Sequence, residues 1–215
     1  MSNIAIIPAR GGSKRIKNKN IKIFNHKPII QHTIEILKKT NLFDLIVVSS
    51  DSKKIEKLCQ KIGIDFFIKR QKKLSGNIVS THPVILNSIE ILLKKKIKLK
   101  NIFCFYPTSV FINKNIIKQA LKKLKLSNAY VFSAIKYNHP IERSFKKTNN
   151  KIIFNFQKKI LSRTQDIKTS YHDAAQFYLA NYKTWQRKKN ILKSAETFVE
   201  MPKFSCIDID DLDDW

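Results

Sequence analysis

Four glycines serve a chain of 215 residues, and two of them are adjacent, at 11 and 12. So few glycines leave little room for nucleotide-binding loops that depend on them. Neither the Walker pattern G-x-x-x-x-G-K-[ST] nor the dinucleotide fingerprint G-x-G-x-x-G is present. The three cysteines, Cys59, Cys104 and Cys206, lie far apart with no C-x-x-C pair or metal-ligand spacing, which fits reduced thiols in a cytoplasmic protein. No apolar run approaches the roughly 20 residues that span a bilayer, and no charged stretch followed by an apolar segment and cleavage site marks a signal peptide. Acidic residues are scarce, 16 against 42 basic ones, giving a net charge of +26. Arginine is scarce too, at 6 against 36 lysines. Readers of nucleic acid concentrate charge on one face and favour arginine for bidentate contacts. Here lysine is spread along the whole chain beside abundant Ile and Asn. That pattern fits a solvated lysine-rich surface and leaves nucleic-acid or anionic-membrane binding as an alternative. The field it creates would also draw in an anionic substrate.

What is present is a regular alternation of short apolar runs with amphipathic stretches. Strands are predicted at residues 3–8, 45–49, 64–68, 102–106 and 129–136, where apolar and β-branched residues cluster between turn signals. Helices are predicted between them. One runs from Pro28 to Thr40, with Ile30, Ile34 and Leu37 on one face. A second, from Ser52 to Ile62, stops at Gly63. Two more cover 79–95 and 115–126. Such alternation implies an α/β fold, a mainly parallel sheet covered on both faces. The order breaks after Lys136. Residues 137–170 read as an inserted β-rich arm, 171–182 as a return to the main sheet, and 205–209 as a last short strand. One domain spans 1–215.

Ligands of such sheets sit beyond the carboxyl ends of the strands, where the first strand runs into Ile6-Ile7-Pro8-Ala9-Arg10-Gly11-Gly12-Ser13-Lys14-Arg15. Gly11 and Gly12 would let backbone N–H groups approach phosphate, and Arg10, Lys14 and Arg15 add charge; the same residues could form no more than a tight turn. With Lys19-Asn20-Ile21 shortly after, this stretch closely resembles the opening motif of the CMP-sialic acid synthetases, the acylneuraminate cytidylyltransferases. The resemblance implies a Rossmann-like three-layer αβα nucleotidyltransferase sheet, with the loop wrapped around the phosphates of CTP. Carried over position by position, Ala9, Arg10, Gly11, Gly12, Ser13, Lys14 and Asn20 would contact CTP, with Arg10 and Lys14 acting in catalysis.

The resemblance runs nearly the full length. Val47-Val48-Ser49-Ser50-Asp51 is similar to the second strand and its turn. Arg70 and Ser80 match the segment that holds cytosine and ribose, although Lys73-Leu74-Ser75-Gly76-Asn77 stands where Ala and Asp are usual. Tyr106-Pro107-Thr108-Ser109 resembles the segment beneath the sugar, with Tyr106 where many relatives have Gln; Tyr106 and Thr108 become sugar-binding candidates. Ile207-Asp208-Ile209-Asp210-Asp211-Leu212-Asp213-Asp214-Trp215 is similar to the family's D-I-D-x-x-x-D-W segment. Strand alternation would put Asp208 and Asp210 on one face, and two facing carboxylates suit Mg²⁺, a hard cation often held by carboxylates plus phosphates. An acidic patch that merely offsets lysine is the other reading of those residues. Asp210 is also a catalytic candidate. Relatives usually continue from Trp215 into a helix, an element the resemblance leads one to expect for stability or dimer contacts.

Two further segments bear on the sugar. Ser162-Arg163-Thr164-Gln165-Asp166 and Tyr171-His172-Asp173-Ala174-Ala175-Gln176-Phe177-Tyr178 look like the R-[ST]-Q-D and Y-H-D-A-G-Q-F-Y motifs of the pseudaminic acid branch, with Ala175 in place of the usual Gly. Pro140-Ile141-Glu142-Arg143-Ser144 is similar to that branch's P-I-[QE]-R-A. The resemblance thus implies a CTP-dependent cytidylyltransferase acting on a nine-carbon acidic 2-keto sugar, pseudaminic acid preferred, with N-acetylneuraminic or legionaminic acid as alternatives. It names Arg143, Arg163, Gln165, His172 and Gln176 as sugar-binding candidates. It also implies a homodimer in which the arm crosses to the neighbouring site and its arginines meet the sugar carboxylate. A 3-deoxy-manno-octulosonic acid cytidylyltransferase would share the opening motif but not the 171–178 segment. A basic nucleic-acid-binding protein and an inactive nucleotide-binding relative are the readings from other classes.

Overall fold

The computed structural model describes residues 2–13, 15–76, 78–149 and 151–215; Lys14 and Asn77, which the sequence motifs include, lie outside the described residues. The chain opens with β1 (Ser2–Pro8), then a two-residue hairpin of β2 (Ile23–Phe24) and β3 (Lys27–Pro28), and helix α1 (Ile29–Thr40). There follow β4 (Leu45–Ser50), α2 (Lys53–Ile62), β5 (Phe66–Lys69), α3 (Thr81–Lys94), β6 (Leu99–Phe105), α4 (Lys114–Lys125) and β7 (Tyr130–Lys136). A hairpin of β8 (Phe145–Thr148) and β9 (Lys151–Phe154) interrupts this series. The chain then runs through β10 (Tyr171–Asn181), α5 (Tyr182–Arg187) and β11 (Ala195–Glu200).

Seven strands form one sheet in the order β11-β7-β10-β6-β1-β4-β5. Pairing is parallel except at β10, which lies antiparallel to both β6 and β7. Strand alternation divides the core in two. On β1, Ala5 and Ile7 join one apolar cluster while Ile4 and Ile6 join the other, and all four are fully buried. β6 repeats the arrangement with Phe103 and Phe105 against Ile102 and Cys104. The first face packs against Ile30, Ile34 and Leu37 of α1, Ile55 and Cys59 of α2, and Ile116, Ile117 and Ala120 of α4. The second packs against Ile85, Ile89 and Leu92 of α3 and Trp185 of α5. The result is the three-layer αβα sandwich expected, and the near-continuous apolar runs of the central strands follow from burial on both faces.

Local signals act as their chemistry dictates. The Ser52 side chain caps α2 by accepting from the Ile55 N–H at 3.5 Å, and Gly63 ends that helix at φ 74°, its N–H reaching the Cys59 and Gln60 carbonyls. The Asn113 side chain caps α4 by accepting from the Asn115 and Ile116 amides.

One expected strand is absent. Residues 205–209 form no strand, although Asp208 within them lines the cavity described below. The segment is fastened instead by the Lys19 ammonium, which donates to the Ile209 carbonyl at 2.5 Å, and by burial of Ile209 against Ile16 and Ile29. One edge strand is β5 and the other is β11, a polar run in which Val199 alone is fully buried, too weak an apolar pattern to stand out in the sequence.

Candidate active site

A cavity of about 440 Å³ opens at the carboxyl ends of β1, β5 and β6 and is closed on its far side by β10 and the C-terminal segment. Five parts of the chain line it: the loop after β1 with Arg10, Ser13, Arg15, Lys19 and Asn20; Arg70 after β5 together with Ser80 and Thr81 at the start of α3; Tyr106, Pro107 and Thr108 after β6; Asp173, Ala175 and Tyr178 of β10; and Asp208 and Asp210 of the C-terminal segment.

The first loop is built differently from expectation. Gly11 does not line the cavity. Its N–H donates to Asp51 Oδ1 at 2.8 Å, and a Cβ added there would stand 2.8 Å from the Ser52 Cβ. Glycine is needed at 11 because the loop presses against the start of α2, a requirement of packing and not of phosphate approach. A Cβ on Gly12 would meet nothing within 4 Å. Ala9 is fully buried and ties the loop to β4 through its N–H, 2.9 Å from the Ser49 carbonyl. Asn20 is buried, and its side-chain amide donates to the Arg10 carbonyl at 2.9 Å, so it shapes the loop from within while also lining the cavity.

Arg70 is buried, with Nε and Nη2 donating to the Ser49 hydroxyl and carbonyl. Burial lowers its pKa and the nearby Asp51 opposes that shift. Ser80 is the N-cap of α3 but makes no side-chain cap bond. Its hydroxyl and the amides of the first turn of α3 therefore stand at the cavity wall, where a helix N-terminus favours an anion. Tyr106 is set by two anchors on its turn: the Thr33 hydroxyl donates to the Pro107 carbonyl at 2.9 Å, and the Ser109 hydroxyl to the Gln176 carbonyl at 2.6 Å.

The acidic wall comes from the far end of the chain. Asp208 and Asp210 both face the cavity, although the segment that carries them is not a strand. Asp208's pKa is raised, first by desolvation and then by the Asp210 charge, with Lys19 and Arg15 pulling the other way. Asp210 is ion-paired with Arg15 at 2.5 Å. Two hard oxygen donors that repel each other across a partly desolvated gap are a fitting pair for Mg²⁺ alongside phosphate oxygens. Among the described residues, no group of three or more His, Cys, Asp or Glu side chains converges to hold a metal.

Five sugar-binding candidates lie elsewhere. Arg143 is exposed beside the β8–β9 hairpin, its guanidinium donating to the Ser162 carbonyl at 3.2 Å, and Arg163 and Gln165 are exposed nearby. His172 is exposed near the start of β10 against the ring of Tyr137. Gln176 is buried within β10, its Oε1 without a hydrogen-bond partner. None of the five lines the cavity. Sequence reasoning passed over Asp173, Tyr178, Lys19 and Ala175. Asp173, Ala175 and Tyr178 stand inside the 171–178 motif, where only the fold reveals which side chains turn toward the cavity.

Comparison with known proteins agrees with this architecture. A family model described as Cytidylyltransferase matches residues 4–213. The chain is 38% identical over 216 residues to the pseudaminic acid cytidylyltransferase of Campylobacter jejuni, covering 100% of this chain and 93% of that one. It is 27% identical over 212 residues to the N-acylneuraminate cytidylyltransferase of Escherichia coli, covering 97% of this chain and 49% of that one. Among solved structures, a 4-diphosphocytidyl-2C-methyl-D-erythritol synthase superposes with a TM-score of 0.67 at 12% identity, covering 99% of this chain and 94% of the other. A CMP:2-keto-3-deoxy-manno-octonic acid synthetase complexed with CTP gives 0.63 at 14%, covering 86% of this chain and 76% of the other. At those identities the two structures speak for the fold alone. The chain belongs to the cytidylyltransferase family of nucleotidyltransferases.

Proposed function

We propose that this enzyme joins CMP, taken from CTP, to a nonulosonic acid, with pseudaminic acid the preferred substrate. The observation that carries the reading is a single cavity with a basic wall from the N-terminal loop and an acidic wall from the C-terminal segment, in a chain 38% identical over its whole length to a pseudaminic acid cytidylyltransferase. The 2-hydroxyl of the sugar acid attacks the α-phosphorus of CTP, the bond to the β-phosphate oxygen breaks, pyrophosphate leaves and the hydroxyl proton is lost. Such chemistry depends on alignment and charge neutralisation. Arg10 and Arg15 would hold the triphosphate, joined by Lys14; Ser13 and Asn20 complete the loop; Arg70 and Ser80 would meet the nucleoside; Tyr106 and Thr108 would lie under the sugar. Asp208 and Asp210 would hold Mg²⁺, whose charge would offset that on the phosphates, and Asp210 is the residue nearest to a catalytic role among the acidic ones.

We read residues 1–215 as one catalytic unit acting as a homodimer in the cytoplasm. Apolar side chains on the arm hairpin support the dimer: Phe145, Ile152 and Ile153 are 54%, 61% and 48% exposed, more than a lone hairpin leaves in water. Arg143, Arg163, Gln165 and His172, which do not line the cavity of their own chain, would then serve the neighbouring one. Three free thiols suit a reducing compartment. Among the described residues no helix is long and apolar enough to cross a membrane.

The test is pyrophosphate release from CTP with a panel of pseudaminic, legionaminic and N-acetylneuraminic acids in the presence of Mg²⁺. Release is expected with the first, and no release with any of the three rejects the reading. Asp208→Ala should lower turnover by orders of magnitude without unfolding the protein; near-normal turnover would remove Asp208 from the metal site.

A further inference from the structure

Among the described residues, Asp173 is a cavity carboxylate that accepts from two donors of its own strand. On β10 the pairing with β7 slips between Asp173 and Tyr178: Asp173 faces Ala134 and Tyr178 faces Phe132, so five steps on one strand match two on the other. The surplus forms a bulge, a device that re-aims side chains. Within it Ala175 adopts φ 49°. That turn brings the Ala175 N–H to Asp173 Oδ1 at 2.9 Å, while the Tyr178 hydroxyl donates to Asp173 Oδ2. Tyr178 packs edge-on to Tyr106 with ring centroids 6.0 Å apart, and the Tyr106 hydroxyl shares a 2.9 Å hydrogen bond with Thr81. Burial pushes both phenols well above the ordinary tyrosine range, so both stay neutral hydroxyls. The line Thr81–Tyr106–Tyr178–Asp173 thus forms a fixed floor across the cavity.

A carboxylate offers about four lone-pair sites and no donor. Two sites on Asp173 are filled from below, which leaves acceptor capacity on a residue that lines the cavity. Asp173 does not converge with Asp208 and Asp210 into a three-carboxylate metal cluster. Its charge does reach Asp208 and helps raise that group's pKa. A rigid acceptor in the cavity lining suits a neutral donor on the acidic sugar, and it repels the sugar's own carboxylate. We infer that Asp173 is a specificity-determining residue that accepts a hydrogen bond from an acylamino N–H or hydroxyl of the sugar acid, and that Tyr178 is its positioning residue. This rests on the proposed cytidylyl transfer to a nonulosonic acid.

The experiment is steady-state kinetics of Asp173→Asn and Tyr178→Phe with the sugar acid, CTP and Mg²⁺ varied in turn, alongside thermal melts of each variant. Asp173→Asn should raise the KM for the sugar about tenfold or more, the scale of a hydrogen bond to a charged group. The KM for CTP and the Mg²⁺ requirement should stay unchanged. Tyr178→Phe should raise the sugar KM in the same way but by less. An unchanged sugar KM in both variants overturns the inference while leaving the proposed activity standing. A rise in the CTP KM or in the Mg²⁺ requirement overturns it in favour of a nucleotide or metal role. If Asp173→Asn does not fold, Tyr178→Phe decides alone. A wild-type protein inactive with every nonulosonic acid removes the underlying activity and this inference together.

Discussion

Replacing Ala175 with glycine should stabilise the protein. Ala175 sits at φ 49°, in the left-handed region, at the centre of the β10 bulge. An L-residue other than glycine there costs about 1–2 kcal/mol, from the close approach of Cβ to the following carbonyl. Glycine removes that cost but adds about 0.4–1 kcal/mol of unfolded-state freedom. The difference runs from about 0 to 1.6 kcal/mol in favour of glycine, about 0.8 kcal/mol at the middle of both ranges. For a domain of this size that is about 1–4 °C in melting temperature. Ala175→Val should move the opposite way by more, since a β-branched residue tolerates positive φ least. Calorimetry or urea titration of the three proteins without nucleotide measures both shifts. A lower melting temperature for Ala175→Gly would show that the methyl group packs usefully at the cavity wall and that its contacts outweigh the backbone strain. The same site explains why glycine is the residue met at this place in the similar motif: the bulge needs the backbone, and alanine tolerates it at a cost.

The two adjacent glycines should separate cleanly. Gly11→Ala drives a Cβ to within 2.8 Å of the Ser52 Cβ and should destabilise by roughly 1–3 kcal/mol, whereas Gly12→Ala, open on all sides, should leave the melting temperature within about 1 °C; equal losses in both would contradict the packing role assigned to Gly11. Asp208→Asn should raise the stability of the metal-free protein at neutral pH, because desolvation and the Asp210 charge disfavour ionisation of Asp208 in the folded state. Its folded pKa lies above the unfolded one, so the wild type is penalised as pH rises through the folded value, and the two proteins should converge below about pH 4; a gap that widened on acidification would refute the sign.

Much of the fold was readable because its signals are local. The alternation of β1 and β6, the Ser52 cap and the Gly63 stop each depend on neighbours within a few residues, and the structure uses them as written. What failed depends on partners far away. Residues 205–209 have the alternating look of a strand, but their segment is held by the Lys19 side chain and by burial of Ile209 against Ile16 and Ile29, and not by pairing in the sheet. β11, at one edge of the sheet, fully buries Val199 alone, so its sequence carries little apolar signal. The site divides in the same way. Arg10, Arg70, Tyr106 and Asp208 were legible from motif and position and do reach the cavity. Asp173 and Tyr178 were hidden, because a bulge of several residues overrides the two-residue period that would otherwise assign their faces.

Of the contacts that join the acidic wall to the basic loop among the described residues, the Arg15–Asp210 pair cannot survive every proposed role. Asp210 accepts from Arg15 at 2.5 Å, and Lys19 holds the neighbouring Ile209 carbonyl. With no counter-charge, Asp208 and Asp210 would repel each other across the cavity, and the arginine provides that charge in the metal-free protein. An exposed ion pair of this kind is worth at most about 1 kcal/mol, far below what a divalent cation gains from two carboxylates and a triphosphate. If Asp210 holds the metal, the Arg15 guanidinium must give way, and the triphosphate is the anion within its reach. On that reading the pair would be exchanged as substrate binds, the carboxylate turning to metal and the guanidinium to phosphate, while Lys19 and the burial of Ile209 hold the segment in place.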